Sequence, residues 1–173
     1  MQKFALPEPL VFLLLVFLLP CGCSKEPLPE GMPPLHPVEL TFLQEGQPLA
    51  EAIVKLYPQD TALQLWESGG ITDAEGKVTM FTQGRYRGAA AGKSKITVSK
   101  TDRDPSSFTG ELTDARAEEY ARAEDARKVY DLVEPKYGNP QTTDLEIEVV
   151  SGKNAQQFDI GKAVKEIKRV QAK

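Results

Sequence analysis

Apolar and polar residues alternate in short segments along most of this chain. Val38, Leu40 and Phe42 alternate with Glu39 and Thr41, and Ala52, Val54 and Leu56 share one side of the next segment. Val78 and Met80, then Ile96 and Val98, repeat the period; Leu145, Ile147 and Val149 alternate with Glu146 and Glu148, and Phe158 and Ile160 flank Asp159. Period two places one face of a strand on a core and the other in water. Turn chemistry separates the segments at Glu45-Gly46-Gln47-Pro48, Asp73-Ala74-Glu75-Gly76 and Ser151-Gly152-Lys153-Asn154. With a weaker strand around Leu65-Trp66, about seven half-buried antiparallel strands are expected, the pattern of a mainly β sandwich.

Charge and the placement of Cys and His narrow the function classes. Lys and Arg total 21 against 25 Asp and Glu, a formal net charge of -4. A reader of phosphate backbones needs a basic excess, so no nucleic-acid partner is expected. The two Cys and the single His all lie at or before His36. Downstream there is no imidazole and no thiol, so a Ser-His-Asp triad has no members to draw on. No catalytic residue, metal or cofactor is expected. Carboxylates abound, but no spacing singles out a pair for acid–base work.

The N-terminus carries an apolar run of ten residues, Leu10 to Leu19, closed by Pro20 and followed by Cys21-Gly22-Cys23. A helical membrane span takes about 20 residues, whereas ten matches the apolar region of a signal peptide. The order resembles a bacterial lipoprotein signal, in which a small residue precedes the Cys that is lipidated. Gly22 makes Cys23 the lipidation candidate, although Pro20 stands where that pattern prefers Leu. The resemblance implies an exported protein, residues 1–22 removed, held at a membrane through lipid on Cys23. Ser24 to Pro37 then carries five prolines in fourteen residues. Residues 23–37 therefore read as an extended tether of roughly 40 Å, with His36 solvated inside it and given no role.

Four motifs in order carry a second resemblance. Gly46-Gln47-Pro48-Leu49-Ala50-Glu51-Ala52 with Val54-Lys55-Leu56, then Thr72-Asp73-Ala74-Glu75-Gly76-Lys77-Val78, resemble the opening and the hairpin of transthyretin-like, carboxypeptidase-regulatory-type domains. Ile96 to Lys100 is similar to the strand that follows, and Pro135 to Pro140 leading into Leu145–Val149 to the closing part in small exported lipoproteins. The resemblance implies a seven-stranded antiparallel Greek-key sandwich over residues 38–160, acting as a rigid, non-catalytic interaction or scaffolding module for an envelope protein. The same residues have a structural reading. Pro48 pre-sets φ at a turn, Asp73 can bond amides two residues on, and Gly76 can take positive φ.

Two segments depart from that pattern. About 44 residues separate the strands near Lys100 and Leu145, far too many for a plain loop. Ala115 to Lys128 are strong helix formers, so a helical insertion over about 112–133 is expected before the last two strands. Thr113 or Asp114 would cap it, and Glu118–Arg122 and Glu124–Lys128 would be i,i+4 pairs. Tyr120, Val129, Tyr130 and Val133 would rest on the sandwich. The tail, residues 161–173, holds Lys162, Lys165, Lys168, Arg169 and Lys173 against Glu166 alone and reads as a frayed, solvated segment.

Other motifs fail on inspection. Gly88 to Ser94 has three residues between its glycines where a phosphate loop needs four, and it precedes a strand instead of a helix. Tyr86-Arg87-Gly88 resembles the ending of hydroxyisourate hydrolases, yet it lies mid-chain without the histidines those enzymes use. Asp102-Arg103-Asp104 is short of the ligands calcium needs. Trp66, the single Trp, is expected in the core; a carbohydrate- or wall-polymer-binding module would instead show Trp66, Tyr57 and Tyr86 exposed in a row.

Overall fold

The computed structural model describes residues 28–167, of which 31–167 belong to one compact unit. The signal segment, Cys23 and residues 168–173 of the basic tail lie outside the described residues. The unit is mainly β. Its strands are β1 (Leu35–His36), β2 (Val38–Gln44), β3 (Gln47–Pro48), β4 (Ile53–Pro58), β5 (Ser68–Ile71), β6 (Lys77–Thr79), β7 (Phe81–Thr82) and β8 (Tyr86–Arg87). There follow β9 (Ala89–Ala90), β10 (Gly92–Ser99), β11 (Thr101–Arg103), β12 (Val129–Asp131), β13 (Glu146–Val149), β14 (Asn154–Asp159) and β15 (Glu166–Ile167).

Two main sheets share one core. The larger is antiparallel, in the order β13-β10-β4-β5-β7-β8. The smaller places β2 between β14 and β3, with β6 also paired to β2. Val38, Leu40 and Phe42 of β2 meet Val54, Leu56, Ile96, Val98, Ile147 and Val149 of the larger sheet in a single buried cluster. These are the alternating positions of the sequence, each buried because its strand offers one face to the opposite layer. The run from Lys77 to Thr82 joins the layers. It pairs with β2 through β6, passes the buried Met80, and pairs with β5 through β7.

Several expectations are corrected. β14 runs parallel to β2, from Asn154 opposite Val38 to Asp159 opposite Leu43, so the sheets are not all antiparallel. Leu65 and Trp66 close a 3-10 turn, Thr61–Trp66, started by Asp60 accepting from the Ala62 amide at 2.9 Å; the strand comes after it, at β5. His36 is not in a free spacer. It pairs with Ala89 in β1–β9, and its Nδ1 accepts from the Gly152 amide at 3.3 Å.

The inserted helix is shorter than expected. A 3-10 turn, Asp114–Arg116, leads into α1, Ala117–Asp125, with no side-chain cap at Thr113. Val129 and Tyr130 lie in β12, between β11 and β15, because cross-strand pairing on both sides overrides their place after a helical run. Helix salt bridges form at i,i+3, Arg116 with Glu119 and Arg127 with Glu124, instead of the i,i+4 pairs. Tyr120 stays exposed and stacks edge-on against Phe108, while Val133 does reach the core. Within the tail, Glu166–Ile167 is a strand and Lys165 bonds Asp102 at 3.3 Å beneath its contact with the Tyr130 ring.

The turn residues perform the structural roles their chemistry permits. Asp73 Oδ1 accepts from the amides of Glu75 at 3.0 Å and Lys77 at 2.8 Å. Gly76 has φ of +72°, and a Cβ there would strike the Phe42 carbonyl. Pro48 lies in β3 opposite Leu43. Beside them the buried Thr72 hydroxyl donates to the Leu49 carbonyl at 2.6 Å and accepts from the Ala52 amide at 2.8 Å. Thr72→Val keeps the shape and strands both backbone groups, so unfolding in urea should show a loss of about 2–3 kcal/mol. In the β2–β3 turn Glu45 and Gly46 have φ of 54° and 75°, the signs of a type I′ hairpin. Asn tolerates that conformation better than Glu, so Glu45→Asn should raise stability by about 0.5–1 kcal/mol in the same assay.

Candidate functional site

The outward side of the larger sheet carries two of the large apolar residues that stay exposed, Ile53 and Ile71. On β4, Ile53, Lys55 and Tyr57 alternate with the buried Val54 and Leu56 and so face away from the core. Ile53 pairs directly with Ile71 of β5, and the two are 49% and 66% exposed. Directly opposed side chains on one face lie about 4.5–5.5 Å apart at Cβ, so this is a contiguous apolar spot. Next along the strands, Lys55 opposes Gly69, which opposes Phe81. With no side chain on Gly69, a shallow hollow of about 210 Å³ opens between Lys55 and Phe81.

At the other end of β4 the surface deepens into a cleft of about 400 Å³. Tyr57 and Pro58 come from β4, Gln64 from the 3-10 turn, and Pro140 and Gln141 from the loop ahead of β13. Lys95 of β10, paired with Tyr57, stands at its edge. Glu146 forms an ion pair with Lys95, and Lys95 Nζ also donates to the Thr143 carbonyl at 3.3 Å. A larger hollow, about 560 Å³, runs along the smaller sheet past Glu39, Thr41, Lys77 and Gln157. Its Glu39 is already held by Arg87 and Lys153, each at 3.3 Å, and no aromatic residue lines it.

The three aromatic candidates do not meet. Tyr57 lines the cleft; Trp66 is half-buried in the turn beside it and is not among the lining residues, and neither does it fill the core. Tyr86 opposes Thr82, whose side chain is buried, and therefore falls on the core side of the sheet's far edge, with Arg85 over its ring at 5.5 Å. Gln59, Gln64, Gln141, Ile53 and Ile71 were not singled out by the sequence. Only the outward phase of Ile53 beside Val54 and Leu56 signals one of them in advance.

Electrostatics give the carboxylates structural work. Glu146 is held below the usual Glu range, first by its hydrogen bond to Lys95, then by the Lys95 and Lys93 charges. Asp102, Glu119 and Glu124 are lowered in the same way, by the Arg103 backbone amide and Lys165, by Arg116, and by Arg127. A general acid requires the opposite displacement. Asp102 and Asp104 are also spent on the insertion, the latter accepting from the Tyr130 hydroxyl at 3.3 Å. Among the described residues no group of three His, Cys, Asp or Glu is placed to hold a metal ion, and no helix is long and apolar enough to cross a membrane.

A lowered folded-state pKa means that the stabilisation is present above the unfolded value and is lost as pH falls through the folded one. In an NMR titration the Glu146 carboxyl should show its midpoint below that of ordinary Glu, and Lys95→Met should return it toward that range. An unchanged midpoint in Lys95→Met would remove the ion pair as the cause. In comparisons with protein-family models, curated proteins and solved structures, this chain matches none.

Proposed function

We propose that the chain is a non-catalytic lipoprotein of the bacterial cell envelope, exported by residues 1–22 and anchored to a membrane through lipid on Cys23. Residues beyond the anchor present a transthyretin-like, seven-stranded Greek-key sandwich that binds an envelope protein. Support for the finer fold lies in seven principal strands: β14, β2 and β6 in one layer, and β13, β10, β4 and β5 in the other. Support for the anchor lies in the sequence around Cys23.

The observation that carries the interaction reading is the exposed Ile53–Ile71 pair. Fully covering a side chain of that size stabilises by roughly 1.5–3 kcal/mol. Such a cross-strand pair on an ordered sheet loses little entropy when a partner covers it. The Lys55 ammonium and Phe81 beside it give the polar and aromatic surroundings common at binding patches.

The test uses the full chain carrying Cys23→Ala, so that lipid does not itself hold the protein to membranes. It should be retained on isolated envelope material, and protease treatment of that material should abolish retention. Ile53→Ser with Ile71→Ser should weaken retention about tenfold. Retention that survives both the protease and the double substitution, or no retention at all, would overturn the reading. Independently, the unsubstituted chain should partition with membranes and the Cys23→Ala chain should not.

A further inference from the structure

The cleft at Tyr57 differs in kind from the apolar end of the same face. Three exposed glutamines line it from three separate elements: Gln59 after β4, Gln64 on the 3-10 turn, and Gln141 in the loop ahead of β13. None of the three side chains makes a hydrogen bond among the described residues. Some side-chain amides elsewhere are spent inside the fold, whereas those of Gln47, Gln83, Gln156 and Gln157 are not. Gln44 Nε2 donates to the Leu132 carbonyl at 3.0 Å, and Asn154 Nδ2 donates to Val150 and Gly152 carbonyls at 3.0 and 3.1 Å. Three such glutamines around one hollow, with Tyr57, Pro58 and Pro140 also lining it, combine flat apolar groups with groups able both to donate and to accept.

We infer that this cleft binds a neutral oligosaccharide. A sugar ring has an apolar C–H face for the tyrosine and proline rings, and hydroxyls that donate and accept as primary amides do. The charges at the rim argue against an ionic ligand. Lys95 is engaged by Glu146 and by the Thr143 carbonyl, which leaves no uncommitted cation for a phosphate or carboxylate. Glu67, also at the rim, repels anions. The volume, about 400 Å³, falls within the range of small-ligand sites. The positions that form the cleft are distinct from Ile53 and Ile71, about 13 Å away along β4 at 3.3 Å per residue. The site therefore adds to the partner surface and does not depend on it.

The full chain, purified in a zwitterionic detergent without a sugar headgroup, is titrated calorimetrically with maltotetraose and with tetra-N-acetylchitotetraose. Binding of at least one is expected. Tyr57→Ala should weaken it about tenfold through loss of the aromatic face, and Gln64→Ala, on an exposed turn where folding is not at stake, about fivefold. Tyr86→Ala, on the other side of the sheet, should leave the affinity unchanged. Heat from neither sugar would overturn the assignment. So would equal binding by wild type, Tyr57→Ala and Gln64→Ala at unaltered melting temperatures. Binding of a decaproline peptide where neither sugar binds would assign the cleft to polyproline instead.

Discussion

The parallel ladder between β2 and β14 ties together residues more than a hundred positions apart, and all the strands from β3 to β13 lie between its two members in the chain. Parallel neighbours cannot be joined by a hairpin, so the chain between them must travel through the opposite layer before returning. Phe42 and Phe158 stack across this ladder with ring centres 5.4 Å apart. Asn154 anchors its start, its backbone amide donating to the Pro37 carbonyl at 2.9 Å while its side chain holds the β13–β14 turn. Loop-closure entropy grows only slowly with length. That is why the enclosed segment can accommodate β11, α1 and β12 without disturbing the core: the insertion adds length to a connection that was already long.

Within that enclosure, the Thr72–Asp73–Gly76 corner fixes how the smaller sheet is entered. Thr72 ties Leu49 and Ala52, Asp73 closes its own turn, and Gly76 lets the chain pass close under Phe42. Much of this was legible in sequence. Asp and Gly at those positions have few alternatives to a turn, and the apolar phases of β2, β4, β10 and β13 state which face is buried. Thr72 stood in the hairpin motif, but the work of its hydroxyl was not legible, because a bridge to two backbone groups 20 or more residues away leaves no local pattern.

The parts that sequence reading missed have identifiable physical causes. Parallel and antiparallel strands have the same period, so the direction of β14 is decided by its partner and not by its own residues. Val129–Asp131 follows a helix-forming run, yet it is claimed by two neighbouring strands that lie far off in sequence. Leu65 and Trp66 carry strand-forming side chains, but Asp60 starts a tight turn just ahead of them and leaves Leu65 81% exposed. At Leu65–Trp66 a local cap wins over strand preference; in the other two cases a short-range signal gives way to a contact that only the tertiary structure supplies. The candidate site was less legible than the fold for the same reason: Tyr57, Gln64 and Gln141 become neighbours only once the sheet and its loops are assembled.

Two adjacent glycines show how core and surface demands are separated on one strand. A Cβ on Gly70 would collide with Val78 and the Thr79 carbonyl, so that glycine is required by the closeness of β5 to β6. A Cβ on Gly69 points the other way and would meet the Val54 carbonyl at 3.2 Å and the Lys55 stem at 3.6 Å, tight but yielding. Packing alone therefore demands the first glycine and only favours the second. What Gly69 does provide is the hollow between Lys55 and Phe81, which keeps the outward face continuous from Ile53–Ile71 to the Tyr57 cleft. Because strand residues alternate, the outward positions can change without altering the buried phase. The core thus constrains where this outward face lies and how rigid it is, while leaving its surface chemistry free to vary.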